Sequence, residues 1–158
     1  MLGAGPMGLM LCSLLVAQGR SVTIADRHLG RLEQARELGA RGMQRLGQHE
    51  LVFEAMGRPE AWRQAAHAAS PGGVAVLVGG CRGGTEVTFT SGPIHYDELE
   101  VRGAFHHSPA EVDAALETLA LDKVNWRMLR GETIGLERLP DAVPSGGRAR
   151  KWVVDPRL

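Results

Sequence analysis

The stretch LGAGPMGLM, Leu2 to Met10, decides how the rest of the chain is read. Gly3, Gly5 and Gly8 stand in the spacing GxGxxG. In a strand–turn–helix unit each glycine has its own task. The first allows a tight turn out of the strand, the second lets a pyrophosphate approach the backbone, and the third lets the helix pack closely on the sheet. Free amides at the helix start then face the phosphates, where the helix dipole favours negative charge. Pro6 suits the first helical position, since its missing N–H would have no intrahelical partner, and Met7 belongs to the same phosphate-facing turn. A complete buried strand normally precedes such a turn. Only Met1 and Leu2 stand before Gly3, so that first strand is expected to be truncated.

Working outward, Pro6 to Gln18 is apolar around almost its whole circumference, which predicts a buried helix wedged between a sheet and another layer, ended by Gly19. Val22 to Ala25 is a short β-branched run closing on Asp26. That acid stands close to the ~20-residue spacing at which such turns place a carboxylate for the adenosine ribose. Its alternative role is a solvated strand end or an N-cap for the following helix. Arg27 could meet a 2′-phosphate, but Asp26 beside it would repel that phosphate, so NAD is favoured over NADP. Arg31, one helical turn on, either lies along the ribose or adenine or sits on a solvated helix face.

Leu29, Leu32, Ala35 and Leu38 recur at helical spacing up to Gly39. Strands are expected at Leu51 to Ala55 and Val74 to Val78, a helix over Pro59 to Ala69, and a turn at SPGG. Continuous apolar strands alternating with helices indicate a parallel sheet covered on both faces. EVTF (86–89) and LEVRGAF (99–105) read as two further strands. Ser108 to Glu111 has the spacing of a capping box opening a helix whose inner face carries Val112, Leu116 and Leu119. PSGGRAR (144–150) reads as an exposed loop before a last strand at KWVV. Between Gly39 and Leu51 too few residues remain for a full strand, helix and loop, which predicts a shortened third strand and no crossover helix. The fold class is therefore α/β, a Rossmann-like doubly wound parallel sheet in abridged form.

Composition narrows the function. Lys+Arg and Asp+Glu both total 18, which removes the basic excess that nucleic-acid binding by counterion release requires. Met7 to Val16 is too short to span a bilayer and lacks the basic leader of a signal peptide, so no membrane partner is expected. Two cysteines, Cys12 and Cys81, have neither the number nor the spacing of a disulfide framework, which points to a reduced, cytoplasmic setting.

Taken in order, LGAGPMGLM, VTIADRHLGRLEQARELGA, VFEAMGRPEAW, PGGVAVLVGG and HYDELEVRGAFHHSPAEVDAALETLA resemble the coenzyme-binding half of zinc-type medium-chain alcohol and polyol dehydrogenases. The resemblance implies that Met56, Gly57 and Arg58 contact the adenosine side and the coenzyme ribose. It also implies that Val78, Gly79 and Gly80 approach the nicotinamide, and that Gly103 and Ala104 lie near its carboxamide. In such enzymes a hydride passes between an alcohol carbon and nicotinamide while zinc acts as a Lewis acid on the alcohol oxygen. The resemblance divides the chain into a dinucleotide-binding domain over 1–105 and a C-terminal segment, 106–158, that in relatives returns to the catalytic domain. Such a segment would leave Trp126, Trp152 and Val154 without an obvious cover. Partners implied are a nicotinamide dinucleotide, a second copy of the chain paired through the sheet edge, or a separate catalytic half.

No residue here is assigned as catalytic or as a metal ligand. The family's zinc ligands are expected in the other half; His106 and His107, adjacent on a strand, would point to opposite faces. Glu98 and Glu100 read as a solvated rim. Two other functions share parts of the pattern. One is a noncatalytic nucleotide-binding module acting with another chain. The other is an S-adenosylmethionine-dependent methyltransferase, which also uses a glycine-rich first turn and an acid after the second strand.

Overall fold

The computed structural model describes residues 1–143 and 151–158, so the expected loop at 144–150 lies outside the described residues. Helix α1 spans Pro6–Ala17, followed by β1 (Thr23–Ala25), α2 (Leu29–Glu37), β2 (Arg41–Met43) and β3 (His49–Glu54). Then come α3 (Pro59–Ala68), β4 (Ala69–Leu77), α4 (Ser91–His95), β5 (Glu100–Gly103) and α5 (Pro109–Ala120). Beyond these lie β6 (Arg130–Ile134), α6 (Leu139–Ala142) and β7 (Lys151–Val154).

Strands β1 and β2 pair in parallel, as do β3, β4 and β5 in that order. Leu2 joins the two groups through parallel bridges to Ala25 on one side and Glu54 on the other. Leu2 thus stands in the centre of the sheet, at the place of the expected first strand: the order is β2, β1, Leu2, β3, β4, β5. Ladder bonds run to both neighbours, from Leu2 N–H to the Phe53 carbonyl and from Gly3 N–H to the Ala25 carbonyl, both 2.8 Å. The expected shortening after Gly39 is also present. β2 has three residues and no helix lies between it and β3.

Strand alternation distributes the core to the two faces. Ile24 joins Leu9, Cys12, Ala35 and Leu38 under α1 and α2. Its neighbour Ala25 points the other way, into a cluster with Leu2, Val52, Ala65, Ala75, Leu77 and Leu99 under α3. Small residues dominate that second cluster, which lets α3 sit close to β3 and β4. The C-terminal part adds a separate two-stranded parallel sheet of β6 and β7. The KWVV strand is β7; its partner β6 has no clear periodicity in the sequence.

Several expectations need correction. EVTF is not a strand: the segment pairs with neither β4, whose edges are taken by β3 and β5, nor the outer edge of β5, and Phe89 instead packs against the α3-side core. β5 ends at Gly103 because Ala104 N–H makes the final bond to the Leu77 carbonyl, leaving Phe105 88% exposed. His106 and His107 consequently fall after the strand rather than on it. SPGG is not a free turn but the first part of β4, entered through a register irregularity opposite His49 and Leu51. Helix α1 buries one side only. Gly8, Leu9, Cys12 and Ser13 face inward, while Met7, Met10 and Leu14 are exposed because no second layer covers them among the described residues.

Helix α5 has its capping box, with Ser108 N–H donating to Glu111 Oε2 and Glu111 N–H donating to Ser108 Oγ. Yet it buries none of its residues, so Val112, Leu116 and Leu119 form an exposed stripe rather than an inner face. Trp126 and Trp152 are half-buried, and Val154 is exposed. No described helix is long and apolar enough to cross a membrane.

Ile24 is fully buried at the centre of the α1/α2 core. Truncation by Ile24→Ala is expected to cost about 2–5 kcal/mol of unfolding free energy in a denaturant titration. Ser108→Ala, which removes only the cap of an exposed helix, is expected to cost about 1 kcal/mol or less in the same measurement.

Candidate functional site

The carboxyl ends of β1, the Leu2 bridge and β3 open onto a cleft of about 910 Å³. Open parallel sheets place ligands at this end of their strands. Of the residues singled out from sequence, Gly3, Gly5, Asp26, Arg27, Arg31, Met56 and Arg58 line it. Pro6, Met7, Gly8, Gly57, Val78, Gly79, Gly80, Gly103 and Ala104 do not line this cleft.

The three glycines of the first turn carry three separable constraints. Gly3 has φ +93°, a left-handed conformation that a side chain would strain. Gly8 packs so tightly that a Cβ would come within 1.9 Å of the Gly3 carbonyl oxygen. Gly5 has φ −74°, and a Cβ there would meet nothing within 4 Å. The fold itself therefore does not require glycine at position 5; only an occupant of the cleft would. Gly5 is also the N-cap of α1 and makes no side-chain cap bond, so the first-turn amides have no protein cap.

Asp26 is 8% exposed and is bound to the glycine turn itself: Oδ2 accepts the Ala4 N–H at 2.9 Å, and Oδ1 accepts the His28 N–H at 2.8 Å. Arg31 reaches the same carboxylate at 3.7 Å. Of its two sequence-level alternatives, the N-cap falls away, because His28 is the N-cap of α2. Arg31 likewise leans over the acid rather than away from it. A carboxylate can accept about four hydrogen bonds, so capacity remains for hydroxyls of a ligand.

Charge is distributed unevenly around the cleft. Arg27, Arg31, Arg45 and Arg58 line it together with His28 and His67, while Asp26 is the single acid in the lining. A compact ligand with several negative charges and a polar sugar suits this wall. Arg45, His67, Gln64 and the 44–48 segment escaped the reading of the sequence. They come to the cleft because the chain goes directly from β2 into β3, a consequence of topology with no local signature.

Beneath the cleft lies a residue the sequence analysis missed, although its signal is there: a carboxylate inside the apolar strand LVFEA. Glu54 is fully buried at the end of β3. Its Oε1 accepts the N–H groups of Met56 at 2.6 Å and Gly57 at 2.8 Å. The next turn, at 78–80, lies against it. The Glu54 carbonyl accepts the Val78 and Gly79 N–H groups, and Trp62 Nε1 donates to the Gly79 carbonyl at 2.8 Å. A Cβ on Gly79 would approach Gly57 N within 2.2 Å, so the two turns touch backbone to backbone. Burial pushes the Glu54 carboxyl up from its ordinary value, against the pull of the Met56, Gly57 and Gly79 amides and the Trp62 indole.

The chain is similar to known proteins over most of its length. The model of zinc-binding dehydrogenases matches residues 6–121. The chain belongs to that family. Among curated relatives, D-xylulose reductase A of Aspergillus oryzae is 29% identical over 155 residues, covering 85% of this chain and 43% of that protein. D-xylulose reductase A of Aspergillus niger is 28% identical over 147 residues, covering 80% and 40%. The chain thus spans less than half the length of these relatives. Among solved structures, a zinc-binding dehydrogenase from Sinorhizobium meliloti bound to NADP superposes with a TM-score of 0.88 at 24% identity, covering 98% of this chain and 51% of that one. An Escherichia coli alcohol dehydrogenase complexed with NADH gives 0.82 at 21% identity, covering 97% and 50%. These likenesses establish the Rossmann-type dehydrogenase fold. Among the described residues of this family member, no group of three or more His, Cys, Asp or Glu could hold a metal ion.

The glycine geometry yields a paired test. Gly5→Val is expected to cost about 1 kcal/mol or less of stability, the loss of a good N-cap residue, while weakening NADH binding at least about tenfold. Gly8→Val, which drives a side chain into backbone, is expected to destabilise the chain by about 1–3 kcal/mol or more.

Proposed function

We propose that this chain is the NAD(H)-binding portion of a medium-chain alcohol or polyol dehydrogenase, with NAD preferred over NADP. The observation that carries this reading is the Asp26 carboxylate, buried at the cleft wall and bonded to the glycine turn. One acid then spans the two places a dinucleotide must occupy: the phosphates at the first-turn amides and the adenosine ribose at the end of β1. Family membership and the nicotinamide coenzymes named in the two solved neighbours support it.

In this reading the bound coenzyme supplies the hydride chemistry, and the chain's own residues bind and orient it. The amides of Met7 and Gly8 face the pyrophosphate, with Pro6 holding the helix start. Asp26 accepts the ribose hydroxyls. Arg27, Arg31, Met56, Gly57 and Arg58 border the adenosine side and the sugars. Val78, Gly79, Gly80, Gly103 and Ala104, at the ends of β4 and β5, face the nicotinamide. Residues 1–105 form the dinucleotide-binding domain, and 106–158 the segment directed toward a catalytic half. The described residues offer no zinc site, so activation of an alcohol oxygen is assigned to ligands outside them, and the chain's partner is that catalytic half or a second copy.

Asp26→Asn removes the charge while keeping the shape. It is expected to weaken NADH binding about 10- to 100-fold and to narrow the preference for NADH over NADPH, because the repulsion of a 2′-phosphate is lost. Fluorescence titration with both reduced coenzymes reads the ratio. A ratio unchanged by the substitution overturns the ribose assignment.

A further inference from the structure

We infer that Arg45 is a specificity-determining residue of the nucleotide cleft: its guanidinium receives a phosphate on the 2′ oxygen of the adenosine ribose, so that the chain accepts NADPH beside NADH although Asp26 stands at the same sugar. The inference rests on the nucleotide-binding reading above and adds a residue from a segment that carries no motif.

Strand β2 ends at Met43, and Asp26 N–H donates to the Met43 carbonyl at 3.3 Å. Arg45 therefore stands two residues beyond a direct contact with Asp26, on the outer flank of β1, and it lines the same cleft. The segment is held in place there, because Leu46 packs against the α3-side core. A ribose bound at Asp26 has a defined direction toward these walls. Its 5′ carbon leads to the pyrophosphate at the glycine turn, and its 2′ oxygen lies at the other end of the ring. The 2′ substituent is thus directed away from the glycine turn. The sheet order β2, β1, Leu2 places Arg45 on that side of β1.

The other arginines of the cleft are engaged or elsewhere. Arg31 pairs with Asp26 at 3.7 Å, and Arg27 Nε donates to His28 Nε2 at 3.2 Å. Arg58 stands beyond the end of β3, on the opposite side of Leu2. Arg45 is exposed, and its guanidinium forms no ion pair or hydrogen bond among the described residues. A planar guanidinium offers a phosphate two parallel donors, a match that a lysine lacks. Little opposes the phosphate. The segment QRLGQ, 44–48, contains no acid, and Asp26 is the single acid in the lining. The charge of Asp26 is itself engaged by Arg31 and by the N–H groups of Ala4 and His28. A free guanidinium on the 2′ side then offsets a carboxylate that already has partners, and NADH remains the tighter ligand by a narrow margin.

The test is a fluorescence titration of the whole chain with NADH and with NADPH, in the wild type, in Arg45→Gln and in Arg41→Gln. Arg41 is exposed on β2 and does not line the cleft, so its substitution makes the same change in net charge away from the ligand. The wild type is expected to bind NADPH within about tenfold of NADH. Arg45→Gln is expected to bind NADPH about tenfold or more weakly than the wild type and NADH within about threefold of it. Retained NADH binding also reports that the variant is folded. Arg41→Gln is expected to leave the ratio of the two affinities unchanged. Failure of the wild type to bind NADPH, an unchanged ratio in Arg45→Gln, equal loss of both coenzymes in it, or the same change in Arg41→Gln overturns the assignment. Each of these leaves the nucleotide reading standing as long as the wild type binds NADH. Absence of binding of either coenzyme to the wild type overturns both.

Discussion

Two residues hold the sheet together. Leu2 is hydrogen-bonded to β3 and bridged to β1, with Ala25 N–H donating to the Met1 carbonyl and Ala55 N–H donating to the Leu2 carbonyl. Without those bonds the described residues divide into a two-stranded and a three-stranded piece. The bridge also fixes the cleft, whose elements radiate from it. The glycine turn leaves Leu2 directly, Asp26 follows its partner on one side, and the Met56–Arg58 turn follows its partner on the other. Three strand ends are set in register by bonds a few ångströms apart, and a ligand spanning them needs no longer-range alignment.

At this junction two acids sit in different surroundings. Asp26 keeps Arg31 beside it, accepts two backbone N–H groups and borders the cleft, an arrangement that leaves acceptor capacity toward a ligand. Glu54 lies on the opposite side of Leu2, fully buried and with no ion pair among the described residues. Its two accepted N–H groups belong to a turn, so it organises backbone instead of meeting solvent. Chemical identity alone does not separate the roles of the two carboxylates. Their partners do.

Much of this was legible from local sequence because the relevant constraints are local. GxGxxG imposes backbone demands at positions 3, 5 and 8, and an acid at the end of the next strand lands beside that turn wherever the strand pairs with Leu2. The abridged region after Gly39 was legible by residue count alone. What escaped were matters of tertiary cover and competition. EVTF has the residues of a strand, but its Phe89 is drawn into the α3-side core and the segment joins no ladder. Val112, Leu116 and Leu119 follow a helical stripe, yet periodicity reports which face is apolar and not whether anything lies against it. Arg45 and His67 reach the cleft from segments with no motif, brought there by a direct connection between β2 and β3.

That direct connection also shapes the chemistry. In a doubly wound sheet the crossover helix between these strands would cover part of this face. Here the 44–48 segment runs along it, anchored by Leu46 against the α3-side core. The cleft therefore extends from the glycine turn to Gln64, His67 and Ala68 on α3, and its wall gains Arg45 and two glutamines, Gln44 and Gln48. The short connection sets polar and positively charged residues on this perimeter, beside the Asp26–Ala4 contact. Loss of a covering element and retention of the recognition turn are thus separable, because the turn depends on ladder bonds through Leu2 and not on the helix that covers the sheet beside it.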